Sequence, residues 1–212
     1  MHHLDGPAIA EIPVADKAAG PYGIAAGPDG ALWLTLAHRG HIARLILDGE
    51  FNVYPLDPPT CRPAVITAGP DGALWFTRSQ DHRIGGITTA GDVVIHPLPT
   101  PGAAPVGITS DGTALWFVEI EAGQIGRIEP DGTIKEFPFP DRTAKPHAIV
   151  EASTGDRWFT ERGANRSGRI TASGEIAEHD LPSPSSEPHG ITVGPDGALW
   201  TALETGGVAR LA

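Results

Sequence analysis

Three features of the sequence predict an all-β chain built as a β-propeller. The tryptophans Trp33, Trp75, Trp116, Trp158 and Trp200 recur at steps of 42, 41, 42 and 42 residues. The prolines Pro21, Pro63, Pro105, Pro146 and Pro188 keep the same period. The chain also holds 27 glycines and 21 prolines, too many for a helical protein because both residues interrupt helices.

Each unit reads in the same order. A first strand starts at the repeat proline, as in "PVGIT", and a turn such as "GPDG" leads into a second strand, "ALWFT". A third strand such as "IGRI" follows, then "PDG" or "ASG", then a fourth such as "TIKEFPFP". Four short β-branched and aromatic runs per ~40 residues, separated by Asp-Gly and Pro turns, make a propeller blade. Five such units fill residues 1–212 as a single domain, and the tryptophans, all in one slot, are blade-packing residues. The fifth unit stops at "GGVARLA", which matches a third strand and leaves the fourth missing. The N-terminal "AIAEIPVAD" matches that missing piece. The expectation is therefore that residues 7–16 form the outer strand of the last blade and close a five-bladed ring with no radial edge. An incomplete arc that dimerises is the competing reading.

Composition excludes several partners. A net charge of −11 argues against nucleic acid or anionic membrane, both polyanions. The single cysteine, Cys61, excludes an intramolecular disulfide framework. The start "MHHLDGPAIA" has no basic or long apolar region of a signal peptide, and no apolar run approaches the ~20 residues that span a bilayer. The expected molecule is soluble, cytoplasmic and monomeric.

Equivalent repeat positions form rings around a propeller axis, so departures from the repeat point to chemistry. After the repeat proline stand Tyr22, Ala64, Val106, His147 and His189; before it stand Gly20, Arg62, Ala104, Lys145 and Glu187. Imidazoles occur only in units four and five, and only the fifth adds a carboxylate. In a closed ring Tyr22 neighbours the fifth unit, giving one polar arc. Units three and four place Glu119 and Glu161 three residues after tryptophan. The fifth has Leu203 there and Glu204 one position later. Glu187 and Glu204 suggest paired oxygen ligands for a hard divalent cation, since magnesium takes one or two protein carboxylates and keeps several waters. His189 beside them suits a general base. Glu119 and Glu161 read as structural, bonding turn amides, and His2, His3, His38, His41, His82, His96 and His179 as exposed residues sharing no repeat position.

The segments "PYGIAAGPDGALWLT", "RWFTERGANRSGRI" and "EPHGITVGPDGALW", with "KPHAI" at 145–149 and the displaced Glu204, resemble the streptogramin B lyase (virginiamycin B lyase) family over essentially the whole chain. The resemblance implies a magnesium-dependent carbon–oxygen lyase that linearises cyclic depsipeptide antibiotics by elimination at the lactone. It implies His189 as general base or acid, Glu187 and Glu204 as metal ligands, and His147 as a substrate contact, with Tyr22 at the mouth of the first blade. The family has seven blades, so five repeats imply the loss of two middle ones. The rival readings are a non-catalytic binding propeller and a lactone hydrolase.

Overall fold

The structure, a computed structural model, describes residues 11–211. Among these residues the chain forms strands and no helix. The first sheet comprises β1 (Pro21–Ala26), β2 (Leu32–Leu36), β3 (His41–Leu45) and β4 (Phe51–Pro55). The second comprises β5 (Pro63–Ala68), β6 (Leu74–Arg78), β7 (Arg83–Ile87) and β8 (Val93–Pro97). The third comprises β9 (Pro105–Ser110), β10 (Leu115–Glu119), β11 (Gln124–Ile128) and β12 (Ile134–Pro138). The fourth comprises β13 (Pro146–Glu151), β14 (Arg157–Glu161), β15 (Arg166–Ile170) and β16 (Ile176–Asp180). The last has three strands, β17 (Pro188–Val193), β18 (Leu199–Leu203) and β19 (Gly207–Leu211). Every pairing is antiparallel. The first strands of the sheets, β1, β5, β9, β13 and β17, pack side by side in sequence order.

Ring closure is not shown. Residues 7–10 of the expected closing strand lie outside the described residues, and residues 11–16 carry no strand. Val14 instead packs with Ala19, Leu34, Leu36 and Ala43 on the free side of the first sheet. β1 and β17 are not among the packed strand pairs. Among the described residues the five sheets follow one another in sequence order, with no strand pairing between the first and the last. Tyr22 and Ile24 on β1, and Val208 on β19, are about 60% exposed, as side chains at two unpartnered ends should be.

Apolar cores fill the seams between sheets. Trp33, Ile42, Leu56, Ile66 and Phe76 join the first and second sheets, and Trp116, Ile125, Phe139, Ile149 and Phe159 join the third and fourth. A fourth-strand ring stacks on the tryptophan of each complete sheet: Tyr54 on Trp33, His96 on Trp75, Phe137 on Trp116 and His179 on Trp158. His96 and His179 thus do share a repeat position, contrary to the sequence expectation, because an imidazole serves there as a flat packing surface. Trp75 and Trp200 are further fixed by indole N–H bonds of 3.0 Å to Asp71 and Asp196 in the preceding turns.

Glu119 and Glu161 are structural, but they do not bond turn amides. Both are fully buried. Glu119 accepts 2.7 Å from the Gln124 amide, and both oxygens of Glu161 lack a partner. Burial pushes each carboxyl up to about 8, with the nearby Glu178 adding to the effect at Glu161. The native chain therefore holds these protons from pH 4.5 to about 8, while the unfolded chain has released them. Stability must fall as pH rises through that window, by a few kcal/mol for each carboxyl as an order of magnitude. Glu161→Gln, which cannot ionise, is expected to flatten that decline. Urea midpoints measured across the window check this, and an unchanged slope contradicts it.

Candidate metal and base site

The site begins with a backbone feature present in every sheet. The repeat proline pairs with the residue three after tryptophan, as in Pro146 with Glu161 and Pro188 with Leu203. The first strand then bulges before its pairing resumes at Ile149 and Ile191. The bulge frees the residue after the proline from the flat register. The residue before the proline is left-handed in all five sheets: Gly20 at φ 63°, Arg62 at 55°, Ala104 at 51°, Lys145 at 51° and Glu187 at 44°. A left-handed non-glycine residue costs about 1–2 kcal/mol. The turn recurs in all five sheets, four times on a non-glycine residue, which assigns the strain to blade entry rather than to chemistry. The fold thus aims a side chain on either side of each proline, and the sequence decides what those side chains are.

In the last sheet they are Glu187 and His189. Glu204, just past the end of β18, joins them, and one donor atom from each lies within 4.8 Å of the others. His189 Nε2 bonds Glu204 Oε2 directly. This bond is the main reason the Glu204 carboxyl sits below its usual range, with Arg162 lending a smaller part. His147 meets His189 edge to face, ring centroids 4.9 Å apart at 81°. Burial is the main cause that lowers His147 from its ordinary value, and the charges of His189 and Arg162 add to it. His147 is therefore a neutral imidazole at neutral pH, and its buried Nδ1 has no partner, leaving that atom for a ligand.

Arg162 is the residue that sequence reasoning missed. Its Nη2 lies 2.6 Å from Glu187 Oε2 and 3.9 Å from Glu204 Oε2. One guanidinium nitrogen thus occupies the cation position between the two carboxylates. A cavity of about 540 Å³ opens beside it, lined in part by Glu121, Lys145, Arg162, Asn165 and Glu187. The sequence did carry a signal, because Arg162 and Glu204 both stand four residues after their tryptophans. The position three after tryptophan points into the seam at Glu119 and Glu161, whereas the next one points to the mouth.

The donor set fits a hard divalent cation. Two oxygens on one octahedral magnesium at about 2.0–2.1 Å stand roughly 3–4 Å apart, the donor atoms here lie within 4.8 Å of one another, and Arg162 already stands in as a cation. Glu187 and Glu204 would hold the ion. Because Arg162 competes for them, Arg162→Gln is expected to tighten Mg2+ binding by about fivefold or more, since a unit charge ~4 Å away is worth about 1 kcal/mol even through bulk water. Titration calorimetry with Mg2+ checks this, and weaker binding contradicts it.

The structure does not bring Tyr22 to this cluster. It lies on β1 in the opposite terminal sheet, beside a separate pocket lined by Gly20, His38, Arg62 and Ala64. His189, Glu187, Glu204 and His147 do converge.

Comparison with known proteins decides the family. The model of the virginiamycin B lyase family matches residues 7–94 and 83–211. The chain belongs to the virginiamycin B lyase family. A streptogramin B lyase structure matches with a TM-score of 0.91 and 46% identity, covering 96% of this chain and 68% of that one. A catalytically inactive histidine-to-alanine variant of virginiamycin B lyase from Staphylococcus aureus, with quinupristin, matches with a TM-score of 0.86 and 41% identity. That match covers 92% of this chain and 67% of the other. Virginiamycin B lyase of Saccharopolyspora erythraea is 61% identical over 49 residues, 23% of this chain and 16% of that protein. The chain thus spans about two thirds of the matched family structures, and the curated relatives align over about a sixth of their own length. The five sheets superpose on a longer family member with almost none of this chain left over.

Proposed function

We propose that this family member is a magnesium-dependent carbon–oxygen lyase that opens streptogramin B-type cyclic depsipeptides at the lactone ester. The observation that carries the reading is the convergence of His189 with Glu187 and Glu204, with His147 edge-on beside it. Elimination removes the proton on the carbon next to a carbonyl. The electron pair left behind becomes a carbon–carbon double bond as the neighbouring carbon–oxygen bond breaks, and the carboxylate departs. His189 accepts the proton, which typically contributes ~10²–10⁴-fold. Glu204 accepts a hydrogen bond from the imidazole and stabilises the imidazolium that forms. His147, neutral and with a free buried nitrogen, orients the substrate. Magnesium on Glu187 and Glu204 would supply electrophilic stabilisation of the negative charge gathering on the carbonyl oxygen.

The inactive histidine variant crystallised with quinupristin supports a histidine-centred reaction on such a ligand in the family. A role for Tyr22 requires the first and last sheets to meet. The open series of sheets favours a second reading, a non-catalytic binding module derived from such a lyase. Incubating the protein with a streptogramin B compound and magnesium separates the readings by product mass. A linear product of unchanged mass is expected. A gain of one water would make the protein a hydrolase, and intact ligand would make it a binding module.

A further inference from the structure

In three of the five sheets a threonine two residues after the tryptophan ties neighbouring sheets together. Thr35 Oγ1 accepts 2.8 Å from Gly23 N in the bulge of its own sheet and donates 2.6 Å to Ala64 O in the bulge of the next. Thr77 repeats the arrangement, accepting 3.2 Å from Val65 N and donating 2.7 Å to Val106 O. Thr160 accepts 3.1 Å from Ala148 N and donates 2.8 Å to His189 O. The third unit has Val118 at this position, fully buried in the seam core. In the terminal sheet the equivalent position is Ala202, and Thr201, one residue earlier, bonds Gly190 O of its own bulge at 2.9 Å.

One of these clasps falls on the candidate site. The amide that Thr160 binds follows His147, and the carbonyl it binds belongs to His189. A single buried hydroxyl therefore fixes, through backbone, the two residues whose rings meet edge to face. The fold does not require it, since Val118 fills the same slot one sheet earlier. We propose that Thr160 is a positioning residue for the His147–His189 pair, locking the bulge that presents each ring at the mouth. The catalytic consequence rests on the lyase reading above; the geometric one does not. Removing the hydroxyl takes away the bond from Thr160 to His189 O and with it the clasp between the two bulges.

The test compares Thr160→Val and Thr160→Ser with the wild-type chain in two measurements. The first is NMR of the imidazole protons, reading the cross-relaxation peak between the two rings and their ring-current shifts. Thr160→Val is expected to fold, as Val118 does, but to lose the inter-ring peak and move both sets of shifts. Thr160→Ser is expected to keep them. The second measurement is turnover of a streptogramin B compound. Thr160→Val should lower kcat by about tenfold with KM changed less than about twofold, and Thr160→Ser should restore it. Wild-type ring geometry in Thr160→Val overturns the proposal, as does failure of that variant to fold, because the clasp would then be a stability element. Absence of turnover in the wild type would overturn the lyase reading and leave the NMR result to decide the clasp.

Discussion

Replacing His189 by alanine is expected to abolish turnover while leaving the fold unchanged. The ring makes one side-chain hydrogen bond, to Glu204, and packs edge-on against His147 at the site mouth. It fills no seam core, so its loss should shift the urea midpoint little; surface changes of this kind stay within about 0.5 kcal/mol. The reaction, by contrast, loses the group that takes its proton. His147 is lowered by burial and is a poorer base. A fall in kcat of about 10²–10⁴-fold is therefore expected, read as formation of the isomeric linear product. Turnover at the wild-type rate would remove His189 from the chemistry.

The second large effect separates the two carboxylates. Glu204 is both the hydrogen-bond acceptor for His189 and one of the two oxygens that flank the Arg162 cation. Glu187 has only the second role, facing Arg162 at 2.6 Å. Glu187→Gln should weaken Mg2+ binding by about 10–100-fold, and excess magnesium should recover most of its turnover. Glu204→Gln should weaken binding to a similar degree, yet remain slow at saturating magnesium because His189 has lost its supporting carboxylate. The hydrogen bond from His189 holds the Glu204 carboxyl below its usual range. It is therefore ionised throughout the neutral range. Equal recovery of both variants by magnesium would show that Glu204 does not act on His189.

How far the sequence spoke for the structure differs between fold and site. The strands were legible because Trp33 and its equivalents, the Asp-Gly turns and the repeat prolines each mark a fixed point in a unit, and every sheet repeats the same register. Closure was not legible. The match between "AIAEIPVAD" and a fourth strand is a local pattern, whereas closure depends on the angle between sheets, which no single unit encodes. Val14 shows the difference: it occupies a buried slot against the first sheet, but no strand forms around it. Tyr22 was placed at the site by the same assumption, and it lies on β1 beside a separate pocket. Glu187, His189 and Glu204 were legible as departures from a repeat, and the bulge explains why residues on either side of a proline can converge. Arg162 and Thr160 were overlooked for opposite reasons. Arg162 stands in a repeat position that was compared only for Glu204, and Thr160 looks like ordinary repeat until Val118 shows that the slot has a choice.

The measurement that bears most directly on the account is anomalous diffraction from crystals soaked in manganese, which shares magnesium's preference for carboxylate and water oxygens. The account predicts one strong peak bridging the Glu187 and Glu204 carboxylates, with Arg162 displaced from between them and the His189 ring beside the ion facing His147. No peak there, or carboxylates turned onto different faces of the last sheet, would contradict it.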